Sequence, residues 1–267
     1  MFEQLTILFN GSGALIRADL DGQVKLRCYV PGSPLFHMGF NEDLVVRQQD
    51  VGGRVGSGGP SGIIVDDVIF HKSAILERWN QDRYVLFHPP EGEFTLMNYR
   101  MDVTNLPMPF RINTRFSAIS QELADLIITI DASLPDPFYG SQMVIKCPLP
   151  RATTAASFSF DVDDQEYEKA EFIKSDRTVT WTIHKLHAGL SAYCHIKMIL
   201  EPPLHPHFRR EFGPISLSFE IPMLLLSSLQ VKFLRITERE RTYTPERWIR
   251  AATSSSSYIA RLDLTRT

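Results

Sequence analysis

Short apolar runs bounded by Pro, Gly, Asp or Ser recur along the whole chain, and a 3.6-residue apolar period nowhere holds beyond about three turns. A bundle of helices is thereby excluded, and the chain is directed into sheets. Segments rich in β-branched or aromatic residues fall at 62–70, 84–88, 94–101, 126–130, 142–147, 157–162, 178–186, 192–200, 215–221, 229–237 and 258–264. Residues 14–20 and 23–30 both alternate apolar with polar, and Asp21-Gly22 lies between them. A two-residue Asp-Gly link suits a type I′ turn, so the expectation is a hairpin with Ile16, Ala18, Leu20, Val24, Leu26, Cys28 and Val30 on one face. The run 5–9, closed by Asn10-Gly11-Ser12-Gly13, extends it to a three-stranded meander. Helix is expected only at 120–126 and as a turn near 244–248. An all-β sandwich or barrel follows.

A chain of 267 residues can bury a sizeable core without disulfides or metal, as one large domain or two smaller ones. Cys28, Cys147 and Cys194 are far apart with no C-x-x-C pair, so they read as buried, reduced thiols. Met1-Phe2-Glu3-Gln4 lacks a basic signal-peptide start, and the apolar run around 221–226 is far short of the ~18–20 residues a spanning helix needs. With 28 Lys plus Arg against 31 Asp plus Glu, the net charge of −3 argues against bulk attraction to nucleic acid. A boundary is expected near Asn105-Leu106-Pro107-Met108-Pro109.

Gly52-Gly53-Arg54-Val55-Gly56-Ser57-Gly58-Gly59 invites a phosphate-loop reading, but no Lys-Ser/Thr follows and the next element is a strand, so a loop is expected. His184-x-x-His187 and His205-x-His207 have no Cys, Asp or Glu at ligand spacing. Asp66-Asp67 and the acids of 161–164 make poor acid/base pairs, because neighbours on a strand point to opposite faces. No nucleophile, metal set or cofactor motif emerges, so neither catalysis nor a cofactor is expected. Residues 229–267 carry eight Lys plus Arg against four acids, a local excess of 8 − 4 = +4. Within them Arg247-Trp248-Ile249-Arg250 sets an aromatic and a guanidinium on one side of an extended chain. Either Trp248 is a buried residue of a solvated edge strand, or the segment is a peptide-recognition edge.

Four stretches carry a resemblance: Ile64-Val65-Asp66-Asp67-Val68-Ile69-Phe70-His71; Pro89-Pro90-Glu91-Gly92-Glu93-Phe94-Thr95-Leu96-Met97-Asn98-Tyr99-Arg100; Leu229-Gln230-Val231-Lys232-Phe233-Leu234; and Arg247-Trp248-Ile249-Arg250. They resemble the C-terminal mu homology domain of the medium (mu) subunit of heterotetrameric vesicle-coat adaptor complexes, over about residues 3–262. Residues 62–67, 243–248 and 258–262 look most like the fourth, clathrin-independent adaptor type. The resemblance implies an elongated pair of immunoglobulin-like β-sandwich subdomains, the second inserted in the first. Residues 1–104 and 225–267 would form one and residues 105–224 the other.

It further implies recognition of Tyr-x-x-Φ sorting signals, Φ being a bulky apolar residue, in the cytosolic tails of transmembrane cargo. The matching positions are Arg27, Val231, Leu234, Trp248, Ile249 and Arg250. Arg250 would lie over the tyrosine ring, Arg27 would assist its hydroxyl, and Val231, Leu234 and Ile249 would line the Φ pocket. The family's Phe-x-Asp pair, longin-like domain and linker would precede Met1, so the expectation is either a fragment or an incomplete tyrosine pocket. A second face, for a Tyr-x-aromatic-aromatic-Glu signal, would use Phe70, with Asn80 and Asn98 where the fourth type has Glu and Arg. Implied partners are two large and one small adaptor subunit, with peripheral membrane contact through the complex and no nucleic acid. The implied location is cytoplasmic, on trans-Golgi or endosomal membranes. The alternatives are a scaffold subunit that has lost signal reading, the medium subunit of a clathrin-associated adaptor, and, least favoured, an enzyme.

Overall fold

A computed structural model describes residues 1–41, 44–47, 63–160, 168–201, 208–238 and 248–262. The chain begins with strands β1 (Phe2–Phe9), β2 (Leu15–Cys28), β3 (Leu35–Gly39), β4 (Leu44–Val46), β5 (Ile63–Val65), β6 (Asp67–Phe70) and β7 (Ala74–Ile75). A single helical turn, α1 (Trp79–Asp82), leads to β8 (Tyr84–Phe87), β9 (Gly92–Asp102), β10 (Phe110–Ala118), β11 (Leu123–Ala132) and β12 (Tyr139–Pro148). Then come β13 (Thr153–Phe160), β14 (Glu168–Ile173), β15 (Thr178–His187), β16 (Ser191–Leu200), a 3-10 turn at Phe208–Glu211, β17 (Ile215–Pro222), β18 (Phe233–Thr237) and β19 (Ala252–Ala260). The fold is all-β, as the alternation predicts.

Two compact units are present: Met1–Gln4, Asp19–Val103 and Met223–Thr253 in the first; Leu5–Ala18, Thr104–Pro222 and Ser254–Thr267 in the second. This grouping puts Leu5–Ala18 and Ser254–Thr267 with the middle of the chain, unlike the division at 1–104 plus 225–267, because β1, β2 and β19 each supply residues to both units. In the first unit β2-β9-β6 are hydrogen-bonded neighbours, and a second sheet has the order β18-β3-β8-β7. Phe87 joins the two sheets, its ring 5.5 Å from Phe36 and 6.1 Å from Phe94. In the second unit the neighbours β14-β15-β12-β17-β19-β1 accompany the sheet β10-β11-β16-β13, over a core that includes Trp181, Ile145, Leu126 and Ile196. The three cysteines are free and buried. The expectations for 51–62, 161–167, 205–207 and 244–247 lie outside the described residues.

Several expectations are corrected. Asp21-Gly22 is no turn: β2 runs straight through it, Asp21 opposite Arg100 and Gly22 opposite Tyr99. The glycine is needed for space, since a Cβ there would stand 2.0 Å from Cζ of the Tyr99 ring. Residues 120–126 are not helical either; the amides of Ile119 and Ser120 donate to Leu123 O in a hairpin from which β11 starts at Leu123. The expected strand 62–70 breaks at Asp66, whose carboxylate pairs with Arg47 at 2.7 Å and accepts the Asp102 amide at 2.6 Å. At the C-terminal end β19 begins at Ala252, and the serine run lies inside it, with Ser255 Oγ accepting the Phe219 amide at 3.0 Å.

Candidate functional site

Local geometry in the first unit starts from a β-bulge. The β2–β9 register shifts between Val24 and Lys25, where Val24 faces Met97 and Lys25 faces Thr95. A bulge bends and re-aims a strand, and the residues after this one, Lys25 to Cys28, form one wall of a concavity. The opposite wall is a cross-strand pair, Met38 on β3 opposite Leu234 on β18, with Phe36 two residues along β3. Residues 248–250 close it without forming a strand. They are tethered through the backbone, the Met1 amino group donating to Arg250 O at 2.6 Å and the Ala252 amide to Met1 O at 3.2 Å.

A buried carboxylate holds this frame together. Glu3, fully buried, accepts from the Tyr99 hydroxyl at 2.7 Å, the Leu226 amide at 2.7 Å and the Thr253 hydroxyl at 3.0 Å. Its acceptor capacity is thus shared by three segments adjoining the concavity, and a buried charge satisfied in this way is costly to disturb. Burial, with the negative charge of Glu3 next in weight, pushes the Tyr99 phenol far above its ordinary range, so it stays a donor.

The cavity measures about 410 Å3 and is lined by Val24, Leu26, Cys28, Phe36, Met38, Val231, Leu234 and Ile249, among others, with Lys25, Arg27, Trp248 and Arg250 at its edge. All six residues marked in the sequence, Arg27, Val231, Leu234, Trp248, Ile249 and Arg250, border it. Trp248 is 94% exposed, so it is no core residue, and Ile249 is 39% exposed. Arg27 meets Glu93 at 3.0 Å, but both side chains are more than half exposed, and such a pair contributes only about 0–1 kcal/mol. Its guanidinium is therefore easily recruited by a ligand. Arg250 has no ion-pair partner among the described residues. The described lining holds no Asp, Glu or His, and no group of three or more metal-ligating side chains occurs among the described residues. The chemistry on offer is an apolar hollow with a cationic and aromatic rim, suited to an extended peptide with one bulky side chain. β18, at the edge of its sheet, borders the same hollow.

Sequence reasoning marked six of the fourteen lining residues and overlooked eight. Phe36 and Met38 belong to a strand it did not mark, although their alternation in Leu35-Phe36-His37-Met38 carried the signal. Of the second-face residues, Phe70 and Asn98 do not border the cavity. Phe70 ends β6, with its ring 4.7 Å from Trp79 and nearly perpendicular to it. Asn98 is exposed on β9 opposite Ile69 of β6. Asn80 falls in α1, and its side chain lies outside the described part of the structure.

The all-β architecture is that of the mu-homology domains. The mu-homology domain of yeast delta-COP-I, solved with a Dsl1 WxWxV peptide, superposes with a TM-score of 0.67 at 14% identity, covering 97% of this chain and 96% of that one. Residues 1–262 match the Adaptor complexes medium subunit family, and the chain belongs to it. It is 33% identical over 266 residues to the Arabidopsis thaliana AP-4 complex subunit mu, covering 98% of this chain and 58% of that protein. To the Homo sapiens AP-4 complex subunit mu-1 it is 28% identical, covering 97% of this chain and 58% of the relative. The chain thus spans somewhat under three fifths of these relatives, 58% in each case.

Proposed function

We propose that the first unit reads tyrosine-based sorting signals, Tyr-x-x-Φ, in the cytosolic tails of membrane cargo, as part of the medium subunit of an adaptor complex of the fourth type. The observation carrying this reading is that the six residues matching the family's signal-binding positions border one apolar hollow with a cationic rim. The Φ side chain enters between Val231, Leu234 and Ile249, while Arg250 lies against the tyrosine ring and Arg27, released from Glu93, approaches its hydroxyl. The main chain of the signal runs along the edge formed by β18 and residues 248–250. The subunit works beside two large and one small adaptor subunit, peripherally on trans-Golgi or endosomal membranes.

Isothermal titration with a Tyr-x-x-Leu peptide and its Tyr-x-x-Ala counterpart tests the pocket. Burying the leucine is worth about 1–3 kcal/mol, so the Leu peptide binds tighter by that amount. Equal affinities would remove the Φ assignment and leave the scaffold reading, in which the chain serves only contacts with other coat subunits.

A further inference from the structure

The second unit carries a concavity of its own, of about 620 Å3, lined by Arg209, Arg210, Phe212, Gly213, Pro214, Arg261 and Leu262. We propose that it is a separate binding site for an acidic peptide bearing an apolar side chain beside its carboxylates.

Three arginines line one hollow, and none has an ion-pair partner among the described residues. The nearest carboxylate in sequence, Glu211, accepts the Arg151 backbone amide at 2.8 Å. The shelf that presents these groups is fixed before any ligand arrives. Phe116, nearly fully buried, carries Phe208 and Phe212 edge-on at 6.2 and 5.3 Å, and the Arg209 guanidinium lies 5.3 Å over its ring. The Gly213 amide donates to Pro148 O at 3.2 Å, and a Cβ on Gly213 would come within 2.6 Å of Pro148 Cγ, so the shelf sits directly on the end of β12. Arg209, held over the Phe116 ring, loses little freedom on binding a carboxylate, which guanidinium groups engage through paired N–H donors.

Charge alone would also admit inorganic phosphate or an inositol phosphate. Phe212, Pro214 and Leu262 decide against those, because a polyol or a bare anion leaves that apolar surface in water. An acidic peptide with a Phe or Leu among its carboxylates satisfies both parts of the lining at once.

Fluorescence anisotropy with a labelled Glu-Asp-Phe-Glu-Asp peptide tests the proposal on the whole chain. Saturable binding is expected, weakening about tenfold in Arg210→Gln and in Arg261→Gln, both at exposed positions where the fold should persist. Raising salt from about 50 to about 200 mM should weaken it further. The Gln-Asn-Phe-Gln-Asn peptide should not bind, Glu-Asp-Ala-Glu-Asp should bind several-fold more weakly, and Trp248→Ala should leave the site intact. Arg209→Gln adds a third arm; if it fails to fold, Arg210→Gln and Arg261→Gln still decide. Absence of saturable binding, or binding indifferent to the arginines, overturns the proposal. So does arginine-dependent binding of inositol hexakisphosphate without binding of the peptide.

Discussion

Replacing Gly22 by alanine tests how the frame of the cavity is built. The new methyl would lie 2.0, 2.3 and 2.4 Å from three ring carbons of Tyr99, where ordinary contact begins near 3.4 Å, so the ring must leave its seat by more than an ångström. Overpacking of this kind costs about 1–3 kcal/mol. Moving the ring also strains the 2.7 Å bond from its hydroxyl to buried Glu3, and hydrogen bonds to charged groups are worth about 1.5–3 kcal/mol. Against these stands a gain of about 0.5–1 kcal/mol for alanine over glycine inside a strand. The net expectation is a loss of about 2–5 kcal/mol. Urea unfolding of Gly22→Ala, Tyr99→Ala and the double variant measures it, and the double variant should be no less stable than Tyr99→Ala, since the clash has gone. A Gly22→Ala protein as stable as the parent, or an equal loss in the Tyr99→Ala background, would refute the space argument.

Arg250→Ala should weaken a Tyr-x-x-Leu peptide by about 0.5–2 kcal/mol, the range for a guanidinium over an aromatic ring, and titration reads it directly. On the second face Asn98 is neutral, so exchanging Glu for Gln in a Tyr-x-Phe-Phe-Glu peptide should leave its affinity nearly unchanged unless Arg100, whose 2.7 Å pair with Asp21 is exposed, is recruited. A large drop would point to Arg100 or to Arg83, whose guanidinium lies 5.7 Å over Trp79. Burial pushes the Cys147 and Cys194 thiols up to about 12, so both should resist alkylation at pH 8 until the protein unfolds. Unfolded thiols lose their protons from about pH 9, while the folded ones keep theirs to about 12. Stability should therefore fall as pH rises through that window, as denaturant midpoints at stepped pH will reveal.

Most strands were legible because burial on one face leaves a period of two in the sequence, as in Val179, Trp181 and Ile183 of β15. Strands with a wet or polar face were not. β10 reads Arg-Ile-Asn-Thr-Arg and β14 reads Glu-Lys-Ala-Glu, and their partners β11 and β15 supply the pattern they lack. Asp21-Gly22 misled for a different reason: local turn chemistry was satisfied, yet Tyr99, distant in the chain, used the glycine as a seat for its ring. The candidate site was half legible. Arg-Trp-Ile-Arg stands out by composition, whereas Phe36, Met38, Val24 and Cys28 join the hollow only through register and a bulge, which no single segment encodes.

Affinity of a Trp248→Ala protein for a Tyr-x-x-Leu peptide, measured beside its melting transition, tests the signal-reading claim most directly. Trp248 is 94% exposed, so its truncation should change stability by no more than about 0.5 kcal/mol, where a core tryptophan would cost about 3–5 kcal/mol. The account predicts an unchanged melting transition together with loss of peptide binding. A folded Trp248→Ala protein that holds the peptide as tightly as the parent would contradict it.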